Sequence, residues 1–517
     1  MKRSGLVHAV SSGSGLLAVL LAAGCFAPAR SLADEVPRSE LARVRVFETS
    51  LRPAVSIQGE PEQRWKLQER MEHWKVPGLS VAVIRHGKVA WARGYGVLQA
   101  GGKDPVNTET MFSVGSVSKV GSAALALRLV DAGKLDLDRD VNGYLSRWKI
   151  PDTPYTLVRP VTLRGLMSHT AGLSVHGFAD YQPDETLPTT VDTLLGRAPA
   201  KNEKVEVIFT PGSRVQYSGG GITVEQLVVE EVTGDAFAPA ALRYLLEPLG
   251  MKRSTYENPV PEAFGNIAKA HGPDGEPRAL PRGYEAMPET AASGLWTTPS
   301  DLARLVIALM QSYQGTGGFL SGRLAHQMMT EVGRSNYGLG PALQGEGLER
   351  RFSHGGANDS YKAWIEGHLA TGDGAVICAN GARGTSLYVE VRRAIALAEG
   401  WPAQMDSHQE IPGFKLAPEE VSGMSGVYAI EDAFSIASFR HGQDDESGYE
   451  FIEQGGALHW RTGGQLRRLY PMDATHFISE AGVAFEFQRS YSGTVDSLLI
   501  SSNSGSSFTR AVRVRAR

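Results

Sequence analysis

Ser116-Val117-Ser118-Lys119-Val120-Gly121-Ser122-Ala123-Ala124-Leu125-Ala126-Leu127 is the stretch on which the reading of this chain turns. From Ser116 to Ala132 the residues are helix formers and apolar on most faces, the pattern of a buried helix. Ser116 and Lys119 stand three apart at its start, so they share a face and the amine can reach the hydroxyl. A serine hydroxyl is a poor nucleophile until a neighbour accepts its proton. The helix N-terminus adds partial positive charge and free N–H groups, useful against a developing oxyanion. For Lys119 to act as the base, its pKa must fall from about 10.4 to near neutrality, roughly 3–4 kcal/mol of destabilisation of the charged form. Burial supplies a cost of that kind. The tetrapeptide alone decides nothing, because Ser146-Arg147-Trp148-Lys149 repeats its spacing. That copy runs into Pro151 with no apolar helix behind it, and reads as surface.

Outward from this helix, residues 38–75 carry apolar positions spaced by three and four and predict helix. A strand is expected at 79–84, a turn at 85–88 and a hairpin partner at 89–95. Shorter helices are expected at 163–167 and 224–232. Another begins after Thr298-Pro299-Ser300-Asp301, where serine or aspartate suits a cap. Strands return at 362–366 and 374–379, then a helix at about 386–398. The simplest fold is a sheet built from both chain ends with helices inserted between them. Residues 403–418 read as a linker, within a proline-containing stretch that has no clear periodicity. Beyond it, 419–517 alternates in short runs between glycine turns, the mark of a small all-β barrel or sandwich.

The chain has 517 residues, 42% hydrophobic and 21% charged, which excludes disorder, collagen and coiled coil as global descriptions. Lysine plus arginine total 52 against 56 acids, net −4, too little basic excess for a general nucleic-acid binder. Residues 1–33 read as a signal peptide: Lys2-Arg3, an apolar run from Leu16, Pro28 and small residues before Asp34. Two exported fates are open, soluble release or lipid anchoring through Cys25 in Ala23-Gly24-Cys25; a buried helix is the third reading. Periplasmic or extracellular location is the expectation. Only Cys25 and Cys378 occur, so no disulfide is expected in the processed chain. Cys378, within an apolar strand-like run, reads as a buried inert thiol.

Two further stretches carry candidate chemistry. One is Val215-Gln216-Tyr217-Ser218-Gly219-Gly220-Gly221, the other Phe352-Ser353-His354-Gly355-Gly356-Ala357. Alone, Tyr217 suits packing beside a glycine turn and His354 a single backbone hydrogen bond. With Ser116-x-x-Lys119 they fit, in order and separation, the three-part pattern Ser-x-x-Lys, Tyr-x-Asn or a variant, and Lys-Thr-Gly or His-x-Gly. The sequence therefore resembles the serine β-lactamase and penicillin-binding-protein superfamily, in its class C-like branch of esterases, D-aminopeptidases and carboxypeptidases. Leu166-Met167-Ser168-His169-Thr170-Ala171-Gly172, Thr210-Pro211-Gly212 and Gly294-Leu295-Trp296-Thr297-Thr298-Pro299 add to it. The resemblance covers about residues 60–400, and the tail resembles the lipocalin-like barrel of some relatives.

The resemblance implies an α/β (α+β) fold: an antiparallel sheet flanked by helices with an all-helical insert, in a hydrolase domain at 34–402. It implies that Ser116 attacks a carbonyl and holds the acyl group and that Lys119 takes or relays its proton. Tyr217 would relay the proton to the leaving group, its pKa lowered by Lys119, and His354 would line the cleft on an edge strand. Backbone N–H groups of Ser116 and Ala357 would form the oxyanion hole, with Gly355 and Gly356 admitting substrate backbone. No metal or organic cofactor is expected. Gly219 stands where many relatives have asparagine, and His354 where dedicated β-lactamases have lysine, which shifts expectation from β-lactams toward small esters or peptides, D-amino-acid peptides among them. A weak β-lactamase or carboxypeptidase is the alternative, and a silent cell-wall-binding protein of the same fold the second. His169 reads as structural. His176, Asp180, Asp184 and Glu185 read as a solvated polar loop without metal-ligand spacing.

Overall fold

The structure is a computed structural model, describing residues 36–402, 405–430, 448–462, 465–479, 482–501 and 508–515. Residues 1–33, Cys25 included, lie outside the described residues. The larger part is built on an antiparallel sheet ordered Lys88–Gly96, Gly78–Arg85, Gly374–Ala379, Lys362–His368, Arg351–Ala357, Ala342–Gln344. Its first two strands come from the N-terminal side and the rest from beyond residue 340, as expected for a sheet closed by both chain ends. Within Gly78–Arg85, Ala82 and Ile84 join one apolar core while Leu79, Val81 and Val83 join the other. A strand alternates its side chains between faces, so one buried on both sides reads as a continuous apolar run.

The first core holds the Ser118–Asp131 and Pro299–Gln314 helices with the helical insert; the second holds Leu41–Thr49, Leu67–Trp74 and Gly384–Glu399. Three expectations need correction. Residues 38–75 do not form one helix: Leu41–Thr49 and Leu67–Trp74 flank a short strand, Val55–Ile57. Pro53, Gly59 and Pro61 interrupt the helical spacing there. The insert helix starts at Gly219, five residues before 224, because the Ser218 hydroxyl accepts from Gly221 N and caps it. At Pro299–Gln314 the cap is Thr298, whose side chain accepts from Asp301 N.

Residues 403–418 are not simply a tether. Gln409–Ile411 pairs in parallel with Val55–Ile57, so the stretch is fastened to the larger part. Among the described residues of the tail, eight strands from Gly426–Ile430 to Phe508–Arg515 run in order and close as the first pairs with the last. Phe451, Phe477, Phe485, Phe487 and Tyr428 fill the barrel. Ala54, Val55 and Ile411 meet the barrel's Ile478 in a small apolar contact. No helix among the described residues is long and apolar enough to cross a membrane.

Candidate active site

Residues 111–127 are buried throughout except Ser116, which is half-buried. The turn that exposes it is held from three sides. Ser118 Oγ donates to Gly115 O at 2.6 Å and accepts from Leu295 N at 2.9 Å, and the Tyr256 hydroxyl donates to Ser118 O at 2.9 Å. The Arg351–Ala357 strand presses on the same turn. A Cβ at Gly356 would lie 1.9 Å from Val114 O, and one at Gly115 would lie 2.7 Å from Ala357 N. Gly115 also has φ +47, which side-chain-bearing residues rarely adopt. Only glycines allow this approach, which brings the N–H of Ala357 beside the serine turn.

Lys119 is 2% exposed. Its Nζ donates to Ser116 Oγ at 3.0 Å and to Ala292 O at 2.8 Å. Burial lowers its pKa to about 7, opposed by the carboxylate of Glu225. The amine thus has the location and the proton affinity of a base working near neutrality.

Tyr217 joins the same cluster. Its hydroxyl is within electrostatic reach of the Ser116 side chain, and Lys119 Nζ lies 5.1 Å from its ring centre. The expectation that Lys119 lowers its pKa is not met: burial pushes the phenol above its ordinary value, with the Ser116 side chain acting the other way. Burial outweighs what the partly protonated Lys119 offers a phenolate, so Tyr217 stays protonated near neutrality.

His354 is 5% exposed and lies with its ring 6.3 Å from Tyr217. Its Nδ1 meets Gly355 O at 2.6 Å; a carbonyl only accepts, so Nδ1 carries the proton and Nε2, buried without a partner, is left as an acceptor. Burial first, then the Lys119 charge, lowers its pKa to about 4. Its strand is not the sheet's edge as expected, since Ala342–Gln344 lies outside it. That outer strand pairs only with residues 351–353, leaving 354–357 facing the cleft.

Several contributors escaped sequence reading. Tyr337 packs 6.0 Å from Tyr217 and 6.2 Å from His354. His169, read as structural, packs its ring 4.2 Å from that of Tyr217, and its Nδ1 accepts from Ser218 N. The 176–185 loop is not simply solvated. The His176 ring lies 4.9 Å from Tyr217, and a Cβ at Gly219 would meet Phe178 at 2.9 Å and His176 O at 3.1 Å. The space that an asparagine side chain would enter is filled by this loop. Asp180 accepts from Asp359 N, and burial beside Glu285 and Asp359 raises its pKa to about 8. Arg278 bridges Glu285 and Asp359 at 2.8 and 3.0 Å. Cys378 is fully buried, and burial pushes its thiol up.

The sequence profile of the Beta-lactamase family matches residues 65–400, more than half of the chain. The chain belongs to that family and is a serine hydrolase. It is 27% identical to penicillin-binding protein 4 of Amycolatopsis lactamdurans over 70% of this chain and 95% of that one. It is also 27% identical to the esterase EstB of Burkholderia gladioli, over 57% of this chain and 80% of the relative. The fold is shared with the octameric penicillin-binding protein homologue of Pyrococcus abyssi, TM-score 0.56 at 21% identity, covering 86% of this chain and 98% of that one.

Proposed function

We propose that this hydrolase cleaves small esters or peptides through an acyl-enzyme on Ser116. The observation that carries the reading is the buried Lys119 amine 3.0 Å from the Ser116 hydroxyl. Ser116 Oγ attacks the substrate carbonyl while its proton passes to Lys119 Nζ. The N–H groups of Ser116 and Ala357 take the charge that develops on the carbonyl oxygen. Tyr217, protonated and beside the nucleophile, hands its proton to the departing alkoxide or amine and recovers one from Lys119. Water then attacks the acyl ester by the same route in reverse, releasing the acid and restoring the serine. His354 Nε2 serves as an acceptor for the phenol or for a donor on the substrate.

Similarity to an esterase and to a penicillin-binding protein supports this substrate range. The filled space at Gly219 favours substrates that do not need an amide there, hence esters and small peptides before β-lactams. The leader at residues 1–33 supports export, free or through lipidated Cys25. The test is incubation with a fluorophosphonate and, separately, a fluorescent penicillin, with adducts mapped by mass spectrometry. Fluorophosphonate on Ser116 with little penicillin adduct is expected. A stable penicillin adduct favours a carboxypeptidase and fast release a β-lactamase. No label from either reagent contradicts the reading and leaves a binding protein.

A further inference from the structure

The helix Gly219–Thr233 carries one carboxyl that the acyl-enzyme reaction leaves idle. Glu225 is 0% exposed, among Ile222, Val224, Leu227, Val228 and Val229 of an apolar helix. Neither of its carboxyl oxygens has a hydrogen-bond partner. A buried acid without hydrogen bonds is costly, and is kept tolerable by staying neutral or by facing a positive group.

The layer around it identifies that group. Gln226, next in sequence, accepts from Ala291 N at 3.0 Å, and Ser122 donates to Ala291 O at 2.7 Å. The next carbonyl, Ala292 O, is the one that holds Lys119 Nζ. Three helices therefore meet at Ala291-Ala292, with Glu225 brought in by one and Lys119 by another. Lys119 is the charged group that acts on Glu225, and Glu225 the one that acts on Lys119.

We propose that Glu225 is a positioning residue for Lys119, a buried counter-charge that sets the pH at which the amine beside Ser116 becomes free. The proposal rests on the reading of Lys119 as the base. Burial raises Glu225 to about 8, opposed by Lys119, and lowers Lys119 to about 7, opposed by Glu225. The two lose their protons over the same range and titrate as a pair. Of the other titratable groups around Ala291-Ala292, Glu289, buried at the start of their helix, is raised by burial to about 8 and changes charge in the same range, whereas the rest do not. His169 and His354 are lowered by burial, and Tyr217, Tyr256 and Tyr337 are raised by it. Ionised Glu225 favours the ammonium, so it shifts the onset of reactivity to higher pH while keeping the amine a stronger base.

Glu225→Gln and Glu225→Leu test this in the full chain, with Ser116→Ala alongside. The readout is p-nitrophenyl acetate hydrolysis from about pH 5 to about pH 9, where a base of this kind titrates. Both Glu225 variants should move the half-rise of kcat/KM down by about one pH unit and lower the plateau several-fold, as expected for a weaker base. Glu225→Leu also removes the unpaired acid, so it should fold at least as stably and covers the case in which the amide does not. Glu225→Asp should return the half-rise toward the parent value. A half-rise unmoved in a folded variant, or a uniform loss at every pH, overturns the proposal if Ser116→Ala is inactive. Parent-like activity in Ser116→Ala overturns instead the hydrolase reading on which it rests.

Discussion

Ser116-x-x-Lys119 and Ser146-x-x-Lys149 have the same residues at the same spacing and opposite environments. Ser146 and Lys149 are exposed, and the Ser146 hydroxyl donates to Glu231 at 2.6 Å. Ser116 instead accepts from an amine that is 2% exposed. The residues just C-terminal to each tetrapeptide make the difference. Apolar residues from Val120 to Leu127 carry Lys119 into the core, whereas Pro151 ends the second copy in a surface turn. Burial, not spacing, makes a lysine into a base: the same amine in water keeps its proton near neutrality.

Breaking each copy in turn should expose the contrast. Ser116→Ala should lower ester hydrolysis by at least about 1,000-fold, as loss of a covalent nucleophile does, while Ser146→Ala leaves it unchanged; steady-state kinetics compare them. Lys119→Met should lower kcat/KM by about 10²–10⁴-fold at neutral pH, the usual worth of a general base, and Lys149→Met should do nothing. Tyr217→Phe sharpens the account of the proton relay: a loss of about 10²-fold is expected, larger for substrates with poor leaving groups because the phenol delivers their proton.

Stability should divide the same way with smaller effects. Leu127→Ala, within the buried helix, should cost about 2–5 kcal/mol. Arg147→Ala loses its pairs to Glu230 and Glu231 at a half-exposed site, and about 1 kcal/mol or less is expected. Urea denaturation measures both.

Features set by local sequence were the readable ones. The 78–96 hairpin, the buried helix and the strand-rich tail each carry their own period, so their places needed no long-range information. Tyr217 and His354 were singled out through a pattern that spans the chain, yet the phenol's proton affinity was misjudged. That value depends first on the burial of the phenol, which only the packed insert reveals. Glu225 resembles any acid on a helix, since nothing in its neighbours reveals which way the helix turns. Tyr337 and His176 sit in loops whose approach to Tyr217 is set by packing across the insert. The strand in 403–418 was missed because its partner, Val55–Ile57, lies more than 300 residues earlier.

The most direct test of an amine activated by burial is the rate of Ser116 modification by a fluorophosphonate as a function of pH. Below the lysine's pKa the ammonium cannot accept the serine proton, so the rate should rise with pH and be half-maximal near 7, with that rise absent from Lys119→Met. A rate that climbs only toward the ordinary lysine value of about 10.4, or a label on any residue other than Ser116, would contradict it.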